Sequence, residues 1–143
     1  MTCYCRDYQK SRVYVWENQF SPGNHIPFPN IAPYVREVWE IAGLKWPPLV
    51  EILNARDKSL GKGNRHYVYF PEEGATQLTI LHELAHTMTH TIHGHGDAHG
   101  PQFVGVYLKL LHRHLDIPLP LLLFTLNKEN VDFEIQAKPW SGK

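Results

Sequence analysis

The chain has 143 residues, enough for one domain with its own core and too few for two. Fourteen Lys and Arg balance fourteen Asp and Glu, so the formal charge at pH 7 is zero with histidine neutral. That argues against an affinity built on a broad electrostatic field, as nucleic acid requires, and a hydrophobic share of 43% excludes a disordered chain.

The first eight residues, Met1 to Tyr8, hold no apolar run of signal-peptide length, so the expected localisation is cytoplasmic. Cys3 and Cys5 have no second cysteine pair with which to build a zinc site and read as free thiols in a reducing compartment. Ser11 to Glu17 (SRVYVWE) is β-branched and aromatic and predicts a strand. Ser21 to Pro29 carries three prolines and a glycine and reads as a loop. Asn30 can cap a helix running to about Ala42, with Ile31, Tyr34, Val35, Val38 and Ile41 on one face and Gly43 ending it. Trp46, Pro47 and Pro48 break the chain.

Leu49 to Asn54 predicts a second strand, Arg56 to Asn64 a turn, and His66 to Phe70 a third strand that would pair with the second as a long-looped hairpin. From Ala75 the period changes: Leu78, Leu81, Leu84, Ala85 and Met88 predict a helix to about His90. Gly94, Gly96 and Gly100 make a turn, after which Pro101 suits a first helical position and Phe103, Val104, Tyr107, Leu108, Leu111 and Leu115 form an apolar stripe. The run Ile117 to Leu126 is interrupted by Pro118 and Pro120 and is too short to cross a bilayer. It predicts a short helix around Pro120 to Leu126, followed by an extended stretch from Val131 to Ile135. Tyr14, Trp16, Trp39 and Trp46 read as core aromatics. The expectation is one α+β domain over residues 1–143, a small antiparallel or mixed sheet packed with three or four helices.

Ten histidines are present, and six of them fall between His82 and His99. His82-Glu83-Leu84-Ala85-His86 is an HExxH pattern on the helix predicted from the apolar spacing. Two histidines four apart on a helix are about 6 Å apart along its axis, so both imidazoles can reach one ion, and Glu83 beside the first can move a proton to and from bound water. Zinc suits such nitrogen ligands and in a catalytic site keeps a position open. The metzincin spacing fails, because Thr89 and Ile92 stand where a glycine and a histidine belong, and no glutamate lies between Glu83 and Glu129 to act as a later ligand. His90 is about 12 Å along the helix from His82, too far to share its ion. His99, at the start of a helix that must pack on the first, is the favoured third ligand, with His95 or Asp97 as alternatives; His90, His93 and His95 read otherwise as exposed or outer residues.

HELAH at 82–86 followed by HGPQF at 99–103 resembles the SprT-like zinc metallopeptidases, whose pattern is HExxH and then a histidine in HGxxF on the following helix. The match spans His66 to Leu115, and Gln9 to Tyr14 with the compact size resembles, more weakly, the small single-domain metallohydrolases of bacteria and phages in that superfamily. The resemblance implies a zincin-like domain, one Zn2+ held by His82, His86 and His99, and Glu83 as catalytic base. Larger SprT-type proteins carry a cysteine-rich ribbon or another DNA-binding tail; neither four cysteines nor a basic extension is present, which argues against a DNA-dependent role.

The expected function is therefore zinc-dependent hydrolysis of a protein or peptide, without a membrane partner. The strand before the metal helix is the expected substrate edge, with Tyr67, Val68 and Tyr69 contacting the peptide. His66, Tyr67, Tyr107 and His112 are the candidates for steadying an oxyanion. The alternative is a binding module in which zinc is structural and Glu83 is dispensable. Nucleic-acid association would have to rest on the local cluster Arg56, Lys58, Lys62 and Arg65.

Overall fold

The computed structural model describes residues 7–90 and 98–139 and shows a small α+β domain. Cys3, Cys5, His93, His95, Asp97 and the glycines Gly94 and Gly96 lie outside the described residues. The elements run α1 (Lys10–Glu17), β1 (His25–Ile26), α2 (Phe28–Ile41), β2 (Leu49–Ile52), β3 (Lys62–Gly63), β4 (Tyr67–Phe70), β5 (Ala75–Thr76), α3 (Gln77–Thr89), α4 (Pro101–Leu115) and α5 (Leu119–Lys128). No helix among them is long and apolar enough to cross a membrane.

The predicted first strand is a helix. Its inward positions are Gln9 just before it and Val13 and Trp16 within it, at helical spacing, and all three are buried. Gln9 is polar, so the apolar pattern alone did not show the helical period. Its carboxamide nitrogen donates to the carbonyls of His99 (2.8 Å) and Asp132 (3.0 Å), and its oxygen accepts from the Asp132 amide (2.8 Å). Trp16 donates its indole N–H to Thr125 Oγ1 on α5 at 2.9 Å. These bonds tie α1 to the C-terminal third of the chain.

Helix α2 begins at Phe28, two residues before the expected cap, with Pro27 at the N-cap and Pro29 in the first turn, where a missing N–H costs nothing. Ile31, Val35, Val38 and Trp39 face inward, while Ile41 is exposed. Trp46 is 74% exposed and is not a core residue.

The predicted hairpin between the second and third strands is absent. β2 and β4 run parallel, in register Leu49 with Tyr67 and Ile52 with Phe70, and the residues between them include β3, which pairs antiparallel with β4. Part of the segment expected to be a turn is thus a strand, and the tight turn is Asn64 to His66. There Asn64 Oδ1 accepts from the amides of His66 (2.9 Å) and Tyr67 (3.0 Å), the habitual work of an asparagine side chain in a turn. Lys62 also forms an ion pair with Asp57 across the preceding loop. The sheet order β2-β4-β3 places β4 in the middle, with buried Val68 and Phe70 against the helices, so it is not an edge. A separate two-stranded sheet joins β1 to β5 antiparallel.

Thr76 caps α3, its Oγ1 accepting from the Thr79 amide at 3.2 Å. Ile80, Leu81, Leu84, Ala85 and Met88 of α3 pack against Phe103, Val104, Tyr107, Leu108 and Leu111 of α4 in one continuous core. Gly105 lets the C-terminal segment cross α4 closely: a Cβ there would stand 2.1 Å from the Glu134 carbonyl oxygen. That segment is irregular from Val131 to Pro139 and holds no strand there, contrary to the expectation for Val131 to Ile135, because the Glu134 amide bonds to the Pro101 carbonyl rather than to a sheet.

Candidate metal centre

Helix α3 ends at Thr89, and α4 begins at Pro101 with Gly100 as its N-cap, so His99 is held immediately before a packed helix. His82, His86 and His99 come together there, each offering one ring nitrogen within 4.8 Å of the other two. His82 and His99 are buried and His86 is partly so. The Nε2 atoms of His82 and His99 are 3.3 Å apart. Two nitrogens bound tetrahedrally at about 2.05 Å from one zinc ion stand about 3.3 Å apart, so this pair has the right separation for a shared ion.

The opposite ring nitrogens are held by carboxylates that the sequence reading did not single out. His82 Nδ1 lies 2.9 Å from Glu17 Oε1, and His99 Nδ1 lies 3.0 and 3.2 Å from the two oxygens of Asp7. A carboxylate on Nδ1 keeps the proton there and turns the Nε2 lone pair toward the ion, fixing tautomer and ring orientation together. Glu17 Oε1 also accepts from the Tyr107 hydroxyl at 2.5 Å. The donor set fits a metal ion that takes imidazole nitrogens, and its outer carboxylates fit as well.

The protonation preferences follow from these contacts. Burial pushes the His82 pKa down, but the hydrogen bond and charge of Glu17, with Glu83, more than offset it, and the net shift is upward. His86 is pushed well below its ordinary value by burial and then by His82, His99 and His90. His99 is lowered by burial and by His82, against the pull of Asp7. Glu83 is raised to about 6, first by burial and also by Glu17, with His82 opposing. Tyr107 is raised well above its usual value by burial and by Glu17, so it stays a donor.

Aromatic rings wall the cluster. Phe103 stacks on His86 with centroids 4.4 Å apart, and Tyr107 meets the His82 ring edge-on at 5.2 Å. Tyr14 stacks on His82 at 5.9 Å and meets His99 edge-on at 5.3 Å. His90 is not at the cluster's centre: its Nδ1 bonds to the His86 carbonyl at 2.7 Å.

On the open side a cleft of about 770 Å³ runs from Glu83, His82 and Tyr14 past Leu60 and Leu78 to His25. Gly61 and Gly63 pass directly over Glu83: a Cβ on Gly61 would lie 3.0 Å from Glu83 Cγ, and one on Gly63 2.9 Å from the Glu83 carbonyl oxygen. The GKG run was the signal for this close approach, although it read only as a turn. The expected substrate strand is displaced in role, because β4 uses its backbone on both sides; the strand at the sheet border beside Glu83 is β3. Of the four oxyanion candidates, Tyr107 is sealed against Glu17, and His112 turns its Nδ1 to the Ile117 carbonyl at 2.8 Å. His66 and Tyr67 sit at the start of the central strand, outside the lining of the cleft.

If Glu17 orients His82, its replacement weakens metal binding without touching a ligand. Glu17→Gln should lower zinc affinity about tenfold and Glu17→Ala nearer a hundredfold, the range for outer-shell partners, as read by competition with a chelating dye. Wild-type affinity in both variants would remove Glu17 from the site.

Compared with known proteins, the chain matches no family model, no curated protein and no solved structure.

Proposed function

We propose that the chain is a zinc-dependent hydrolase acting on peptide bonds, with His82, His86 and His99 as metal ligands and Glu83 as general base. The observation that carries this reading is the convergence of the three histidine nitrogens, with one of these residues, His82, lining an open cleft together with Glu83. The resemblance of HELAH and HGPQF to the SprT-like metallopeptidases, and with it a zincin-like fold, supports the same reading. Zinc, when bound by these ligands, supplies a Lewis acid and makes water acidic enough to lose a proton near neutral pH.

The protein's own part is to hold and move that proton. Glu83 sits one residue after the first ligand on a rigid helix, and burial has brought its pKa to about 6, close to the working range of a base that must later give the proton to a leaving amine. Glu17 and Asp7 keep the ligand rings aimed. The cleft takes the substrate, and an extended peptide can add to the β3 border, where Gly61 and Gly63 bring the backbone against Glu83. This replaces β4, with Tyr67, Val68 and Tyr69, as the place where a peptide backbone would pair.

The zinc-loaded protein should cleave unfolded casein at neutral pH. Treatment with 1,10-phenanthroline should abolish cleavage and added zinc should restore it. Cleavage that survives complete metal removal, or none from fully loaded protein, would refute the reading.

A further inference from the structure

We propose that Tyr14 is a catalytic residue whose hydroxyl donates a hydrogen bond to the substrate oxygen that becomes negatively charged when the carbonyl is attacked. The inference rests on the hydrolase reading. It starts from a need that the ligands and Glu83 do not meet: a donor placed in advance where charge develops.

Two tyrosines touch the ligand rings. Tyr107 is fully buried and its hydroxyl is committed to Glu17. Tyr14 differs in each respect. It is 38% exposed, it lines the cleft together with His82 and Glu83, and among the described residues its hydroxyl makes no hydrogen bond. Its ring lies against both His82 and His99, so it borders the metal position from the cleft side. Phe103, which also touches all three ligand rings, has no donor to offer.

Three other polar side chains along the cleft are already engaged. His25 Nε2 is bonded to the Glu73 carbonyl at 2.8 Å, and Thr76 and Thr79 bond to each other at the start of α3. Tyr14 is held where it is by helix geometry: it shares α1 with Trp16 and Glu17, which are pinned to Thr125 and to His82 and Tyr107. Lys10, one turn earlier on the same helix, places its ammonium 5.9 Å from the ring centroid.

The test is Tyr14→Phe, which removes the donor and keeps the ring packed on the histidines. Cobalt(II)-loaded wild type and variant are titrated with acetohydroxamate, whose anionic oxygen stands in for the developing charge, and binding is followed by the visible absorption of the metal. The variant should hold cobalt with an affinity within about twofold of wild type and bind acetohydroxamate about tenfold or more weakly, the loss expected for one charge-assisted hydrogen bond. On a peptide substrate kcat should fall about a hundredfold or more, with KM little changed. Equal acetohydroxamate affinity in the two proteins overturns the proposal and leaves the hydrolase reading standing. A parallel loss of cobalt affinity overturns it too, because Tyr14 would then act through the ligands. Failure of the wild type itself to bind acetohydroxamate means that no coordination position is open and removes the hydrolase reading together with the proposal.

Discussion

Glu83→Gln is expected to leave the zinc content of the protein unchanged and to lower peptide hydrolysis by about three orders of magnitude, within the span of about 10²- to 10⁴-fold associated with a positioned acid or base. Glutamine keeps the size and helix propensity of the side chain and can still accept a hydrogen bond, but it cannot take a proton. The packing around it does not depend on the charge: the His82 and His99 rings are oriented by Glu17 and Asp7, and Gly61 and Gly63 pack against Glu83's aliphatic stem and carbonyl rather than its carboxylate. The measurement is metal stoichiometry and initial rate on the same preparations. Undiminished hydrolysis would show that the carboxylate has no role in proton transfer. An unchanged zinc-dependent binding function with no hydrolysis in either protein would favour the structural-zinc module.

His99→Ala carries the second large effect. The remaining pair, His82 and His86, offers two nitrogens from one helix turn, whereas a zinc site of this kind needs three protein ligands. Zinc affinity should fall by at least about a hundredfold, and zinc, which should raise the melting temperature of the wild type, should leave that of the variant unchanged, since such a rise measures binding to the folded state. The substitution also releases Asp7 from its two-oxygen contact with the ring, although the Gln9 side chain still anchors the residue 99 carbonyl, so the helix start should survive. Full zinc retention would move the third ligand elsewhere and leave the three-histidine site without its basis.

How much of this was legible in the sequence depends on the range of the interaction. The HExxH helix and the helix after Pro101 carry their own periodicity, because most of what they bury is apolar, and they appear where the spacing put them. Helix α1 was misread because its buried positions include Gln9, whose function is to satisfy backbone groups of His99 and Asp132 that lie far along the chain. Val13, Tyr14, Val15 and Trp16 then present a β-branched and aromatic string that local preference assigns to a strand, and tertiary packing overrides it. The parallel pairing of β2 with β4 was equally hidden, since short runs of apolar residues do not specify their partner.

The site divides in the same way. His82, Glu83 and His86 are neighbours on one helix and stand out as a motif. Glu17 is 65 residues from His82, and Asp7 is 92 from His99, and neither has any local pattern to mark it. Tyr14 looked like one more core aromatic. It is instead partly open to solvent, and only the docking of α1 against α3 and α4 gives it a place beside the cluster.

The clamp that Gln9 makes on His99 and Asp132 has a consequence for assembly. The loops closed by these contacts span most of the chain, and closing long loops precedes any gain from the contacts they bring. Helices α3 and α4, being close in sequence, can pair early and present their histidines with freely turning rings. The carboxylate-oriented arrangement exists only after the N-terminal segment has returned across them, so on the proposed reading the full metal affinity would belong to the completed topology, and the HExxH helix with its partner would carry only a weaker version of it.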